Sequence, residues 1–132
     1  MRGRRDAATD SLVALERGRA DDGSARYRSD AHPFLTVVNR LAAGRWLRER
    51  GDAAASARLL TWHEAVLAPL VTTRQAQAMT RGLTYLERAR SAAALGQREL
   101  ARSYYQRFLW HYEAPPAAHA DLVREARQAL AR

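Results

Sequence analysis

The stretch ALGQRELARSYYQRFL, Ala94–Leu109, decides how the chain is read. Most of it is helical in character: Ala, Leu, Arg and Glu dominate, and apolar residues return every three or four positions. Gly96 interrupts the pattern, and a glycine inside a helix costs about 1 kcal/mol relative to alanine. A turn joining two helices explains the break better than a flaw in one helix. The segment after it, RELARSYYQRFLWHYE (98–113), puts Ala101, Tyr104, Tyr105, Phe108 and Tyr112 on one side, and Pro115-Pro116 closes it.

The same reading extends in both directions. Before Gly96, VTTRQAQAMTRGLTYLERARSAAA (71–94) predicts the longest helix, with Thr72 and Gln75 as a capping box and Met79, Leu83, Leu86, Ala89 and Ala93 as its apolar face. Upstream, HPFLTVVNRLAAGRWLRERG (32–51) starts near Pro33 and carries Phe34, Val37, Val38, Leu41, Gly44 and Leu47 at helical spacing. Gly51 ends it and Asp52 caps the next helix. That helix places Leu59, Leu60, His63, Val66 and Leu67 along a stripe and stops at Pro69. Downstream, AHADLVREARQALAR (118–132) predicts a final helix burying Leu122, Val123, Ala126 and Leu130, with Arg124, Arg127 and Gln128 in water. No alternating strand pattern occurs, so the predicted class is all-α, with five helices and short turns that make neighbours antiparallel.

Residues 1–31 differ from the rest. RGRADDGSARYRSDA (17–31) has almost nothing apolar and predicts a flexible segment, preceded by a short helix over Ala8–Arg17 with Leu12 and Leu15 on one side. Residues 32–132 form the predicted folded domain. The net charge is +8, from 22 basic and 14 acidic residues, and every basic residue is arginine. The first 31 residues hold seven Arg against six acids, so the surplus lies on the folded part. Such a charge permits association with polyanions without naming one. The chain has no cysteine, which removes disulfides and cysteine-based zinc sites and suits a cytoplasmic location. Asp6, Asp10 and Glu16 interrupt the basic start, so a secretory leader is not expected, and no apolar run reaches the roughly 20 residues of a membrane span.

Gly51 and Gly96 both divide two helices, 45 residues apart. Seven residues before each lies a small residue, Gly44 or Ala89, and five after each lies another, Ser56 or Ala101. Four further on stands Leu60 or Tyr105, and a proline, Pro69 or Pro115, follows each second helix. With GDAAASARLL and GQRELARSYY as its clearest parts, residues 34–113 resemble the tetratricopeptide repeat (TPR) family. Residues 117–131 resemble the solvating helix that caps such arrays. The texture also resembles the C-terminal TPR segment of a larger bacterial protein. The departures are plain. The family's early Trp position is Arg40 and then Tyr85, its following Leu is Ala43 and then Arg88, and the period is 45 where the family has about 34. A generic five-helix bundle uses the same turns and small residues.

Catalytic motifs are missing. WHEAVL starts like HExxH but ends at Leu67, none of His32, His63, His111 and His119 pairs with another at helical spacing, and there is no phosphate loop or nucleophile elbow. The sequence therefore predicts no enzyme activity, no metal and no cofactor. The TPR resemblance implies a scaffold for a partner protein or peptide. By analogy with the family's groove positions, Val38, Leu41, Arg45 and Arg48 face the groove in the first unit, and Leu83, Leu86, Arg90 and Ala93 in the second. Arg45, Arg48 and Arg90 would fork onto a carboxylate of an acidic peptide; the competing reading leaves them solvated. The family's Lys/Asn carboxylate clamp is absent. A second stripe, Arg74, Arg81 and Arg88 with Gln77 and Thr84 between, reads as a solvated polar face. Nucleic-acid contact there is the alternative, without aromatic residues to stack on bases. Glu87 with Arg90, and Glu99 with Arg102, read as ordinary surface pairs. Trp110 is expected to pack under the final helix, the other reading being an exposed anchor for a partner. At the N-terminal end, the face around Phe34, Val37 and Trp46 is expected to be incompletely covered and closed by a partner or by a second copy as a homodimer.

Overall fold

The computed structural model describes residues 7, 9–14, 33–65 and 71–131. The chain is all-α, and no strand occurs among the described residues. The helices are α1 (9–14), α2 (Pro33–Glu49), α3 (Ala53–Ala65), α4 (Val71–Ala94), α5 (Arg98–His111) and α6 (Ala120–Leu130), the last preceded by a 3-10 turn, Ala117–His119. Among the described residues no helix is long and apolar enough to cross a membrane.

The two glycine turns are built alike. Gly51 and Gly96 have φ of +89° and +72°, the left-handed region that glycine enters without a Cβ clash. At the first, the Gly51 amide donates to the Arg48 carbonyl at 2.9 Å and the Asp52 amide to Leu47 at 2.9 Å. At the second, Gly96 donates to Ala93 at 3.0 Å and Gln97 to Ala92 at 2.9 Å. Each is a Schellman closure, which satisfies carbonyls that a helix end otherwise leaves orphaned. Asp52 then caps α3, its Oδ1 accepting from the Ala55 amide at 3.0 Å, as its sequence position predicts.

The small residues do what their spacing predicts. A Cβ on Gly44 would lie 2.7 Å from Leu60, so α2 and α3 meet at a distance only glycine allows. Ala89 and Ala101 share one core cluster with Tyr105. That cluster joins α4 to α5 and α6 through Leu86, Phe108, Val123 and Ala126. A second, separate cluster holds Val13, Ala43, Leu47, Ala55 and Leu59, from α1, α2 and α3.

Between the clusters the structure overturns the expected face of α4. Leu86 and Ala89 are buried, but Met79 is 74% exposed and Ala93 is exposed. The side of α4 turned towards α2 and α3 buries Thr80, Thr84, Glu87 and Ser91 instead. Backbone carbonyls within α4 make this possible. Thr80 donates to Ala76 at 3.0 Å, Thr84 to Thr80 at 3.1 Å and Ser91 to Glu87 at 2.9 Å. A hydroxyl paired within its own helix no longer carries the full cost of leaving water. With the Ser91 proton so engaged, the Ser56 hydroxyl of α3 donates to Ser91 Oγ at 2.9 Å.

The ends also differ from expectation. Residues 9–14 are helical, and Val13, not Leu12, is the buried residue. Val13 packs on the first hairpin, and Asp10 pairs with Arg50. Of the apolar face expected to be open there, Val37 is fully buried and Trp46 half-buried. Thr72 lies inside α4, one residue past Val71, and is no N-cap. Leu15, Val66, Leu67, Pro69 and the side chains of Phe34 and His63 lie outside the described residues, as does the whole of the predicted flexible segment, 17–31. On α5 and α6 the predicted sides hold: Ala101, Tyr104, Tyr105, Phe108, Val123 and Ala126 are buried.

Replacing Gly44 with valine should lower the unfolding free energy by about 2 kcal/mol, the cost of overpacking a closed core. Gly96→Ala should cost about 1 kcal/mol through its left-handed φ. Urea denaturation followed by circular dichroism measures both.

Candidate functional site

The groove candidates do come together, but chiefly with one another. Arg48 Nε of α2 donates to Glu87 Oε2 of α4 at 3.0 Å. Arg90 binds the other oxygen of Glu87 and reaches across to α6, where its Nε donates to Glu125 Oε1 at 2.8 Å and its Nη2 pairs with Oε2. On the outer side Glu49 accepts from Arg45 Nε at 2.8 Å and lies 3.6 Å from Arg48. Three arginines and three glutamates thus alternate in one ladder, Arg45–Glu49–Arg48–Glu87–Arg90–Glu125, laid across α2, α4 and α6.

The ladder is driest at its centre and opens to water at both ends, at Arg45 and at Glu125. Arg45 is well exposed, whereas Glu87 is only 5% exposed. A buried carboxylate needs its charge compensated nearby, and two guanidinium groups from different helices do that here. The Glu125 hydrogen bond raises the Arg90 pKa, against the opposing effect of burial. Reciprocally, Arg90 holds the Glu125 carboxyl below the usual carboxylate range. Glu49 raises Arg45 in the same way. Tyr105 packs close by, and burial, with Glu125 adding to it, pushes its phenol up.

This placement corrects three expectations. Leu86 is 1% exposed, so it belongs to the core and offers nothing to a groove ligand. The Glu87–Arg90 pair is buried and shared, not a surface pair. Arg48 and Arg90 are neither solvated nor open to an incoming carboxylate, because Glu87 and Glu125 already fill their forks. Of the predicted groove set, Arg45 stays exposed and Leu41 and Val38 are half-buried. Sequence reasoning missed Glu87, Glu125 and Met79. The first two had charge and helical spacing as their only signal, and Met79 was assigned to the core.

Elsewhere the polar stripe divides. Arg74 and Arg81 are exposed, while Gln77 between them and Thr84 beyond Arg81 are buried. The Arg88 guanidinium lies 4.3 Å over the Tyr104 ring, so aromatic residues do adjoin the stripe. Trp110 does not pack under α6: it is 77% exposed. Among the described residues no group of three or more His, Asp or Glu is placed to hold a metal ion. Comparison with known protein families, curated proteins and solved structures found no match to this chain.

Glu87→Ala strands Arg48 and Arg90 beside an unfilled site and should cost about 3 kcal/mol. Arg45→Ala should stay within about 0.5 kcal/mol, because its pair is exposed. The lowered pKa of Glu125 means that its stabilisation is complete above the ordinary carboxylate value of 4.5 and is lost as the pH falls through the lower, folded value. Acid unfolding curves of wild type should therefore fall more steeply below that value than those of Glu125→Gln.

Proposed function

We propose that this chain is a TPR-like protein-interaction module, a short solenoid of antiparallel helix hairpins that binds a partner protein or peptide and has no catalysis of its own. Several contacts support the arrangement. Gly44 with Leu60 sets α2 against α3, Ser56 with Ser91 sets α3 against α4, and Tyr85 with Tyr104 sets α4 against α5. The ladder then aligns α2, α4 and α6, the first helices of successive units and of the cap, along one face.

The observation that carries the binding proposal is Met79. It stands on the side of α4 that bears Leu83 and Arg90, four and eleven residues further on. Leu41 shares its side of α2 with Arg45 and Arg48 in the same manner. Apolar side chains thus lie on the ladder face, Met79 almost wholly in water and Leu41 and Leu83 partly so. The ladder fixes the floor and is neutral, so the partner contributes an apolar stripe, with Arg45 as the accessible charge.

A photo-cross-linking residue at position 79 should capture a defined partner from extracts of the source cells. The same residue at Gln106, exposed on α5, should not. Met79→Glu should reduce capture at least tenfold in a protein with unchanged circular dichroism. Equal capture from both positions, or none lost in the Glu variant, would remove this face as the docking site.

A further inference from the structure

Met79 brings a chemistry to the ladder face that its leucines lack. Its side chain is 74% exposed on α4, with Gln75, also exposed, one turn before it and Leu83, half-buried, one turn after. A thioether is soft and polarizable, and a two-electron oxidant converts it to a sulfoxide. A sulfur standing in water meets that oxidant freely. The chain has no cysteine, so no thiolate competes for it. Of the two methionines, Met1 and Met79, the second is the one carried by a described helix.

Exposure also separates the modification from the fold. A sulfoxide in a packed core disrupts it, because a polar oxygen has replaced an apolar contact. Met79 belongs to neither apolar cluster. The oxygen therefore enters water, and the helix keeps its buried residues Ala76, Thr80 and Thr84 and their hydroxyl bonds. What changes is the character of the surface, from an apolar side chain to a polar, chiral one.

We propose that Met79 is a reversible oxidation site that switches the ladder face between an apolar and a polar state, a role that rests on that face being the docking surface proposed above. A peroxide supplies the oxygen. The sulfur–oxygen bond forms as the peroxide O–O bond breaks; the sulfur gives up two electrons and the peroxide leaves as water or an alcohol. A partner's apolar stripe that packs on the thioether would then have to strip water from the sulfoxide oxygen without offering it a donor. Reduction by a dithiol returns the thioether, releases the oxygen as water and leaves a disulfide on the reductant. One reductase serves each sulfoxide epimer.

The test treats the full chain with hydrogen peroxide. Trypsin cleaves after Arg74 and Arg81, so Met79 is followed in the peptide QAQAMTR, 75–81. That peptide should gain one oxygen at a rate within about twofold of that in the urea-unfolded chain, because the sulfur is already in water. Protection beyond about tenfold in the folded chain would overturn the proposal. The oxidised protein should keep its circular dichroism and urea midpoint; a lowered midpoint would make the reaction damage and overturn the switch. Docking is read with a photo-cross-linking residue at position 75. Capture of the partner found with the reduced chain should fall about tenfold on oxidation, the loss of one apolar anchor. It should return after treatment with both sulfoxide reductases. Peroxide should leave unchanged whatever capture Met79→Leu retains. Equal capture by the oxidised and reduced chains overturns the switch and leaves the docking face standing. No capture by the reduced chain removes the docking face, and the switch with it.

Discussion

The carboxylate of Glu87 is the constraint around which the rest is arranged. It sits almost out of water between two guanidinium groups, one from its own helix and one from α2. Apolar contacts tolerate sliding, whereas a buried charge demands its partners at particular positions. Because α4 turns threonines and serine towards α2 and α3, apolar burial alone would fix their register poorly. Arg48 and the Ser56–Ser91 hydrogen bond fix it instead. Arg90 then passes the constraint to α6 through Glu125.

Charge is sorted between the two sides of α4. On one side arginine and glutamate alternate and cancel, so that face is rigid and neutral. On the other, arginines lie against aromatic rings with no acid on the same stretches of helix. The overall +8 is therefore a poor description of either surface. Arginine suits both roles, as a fork for carboxylates and as a plane over rings, and lysine would fill neither well.

What the sequence made legible follows from the range of each interaction. The glycine turns could be read because a left-handed residue is a local need that a single side chain announces. The buried sides of α5 and α6 could be read because they are apolar and periodic. The face of α4 could not. Thr80 and Thr84 look solvent-facing until their hydroxyls are seen to bond one turn back along the helix. The ladder was half visible: Arg45, Arg48 and Arg90 were picked out, but for a free ligand. Their actual partners include carboxylates 39 and 35 residues away, and helical spacing carries no information at that separation. The rings that adjoin the arginine stripe were missed for the same reason, since Tyr85 and Tyr104 belong to different helices.

The polar seam between the two apolar clusters has a thermal consequence. Hydrophobic burial weakens on cooling and carries a positive heat capacity of unfolding, whereas exposing polar surface contributes to that heat capacity with the opposite sign. The clusters on either side of the seam therefore loosen together in the cold, while the hydroxyls and ion pairs that dock the first hairpin onto α4 do not follow them. Cold would soften each half of this molecule before it parted the halves.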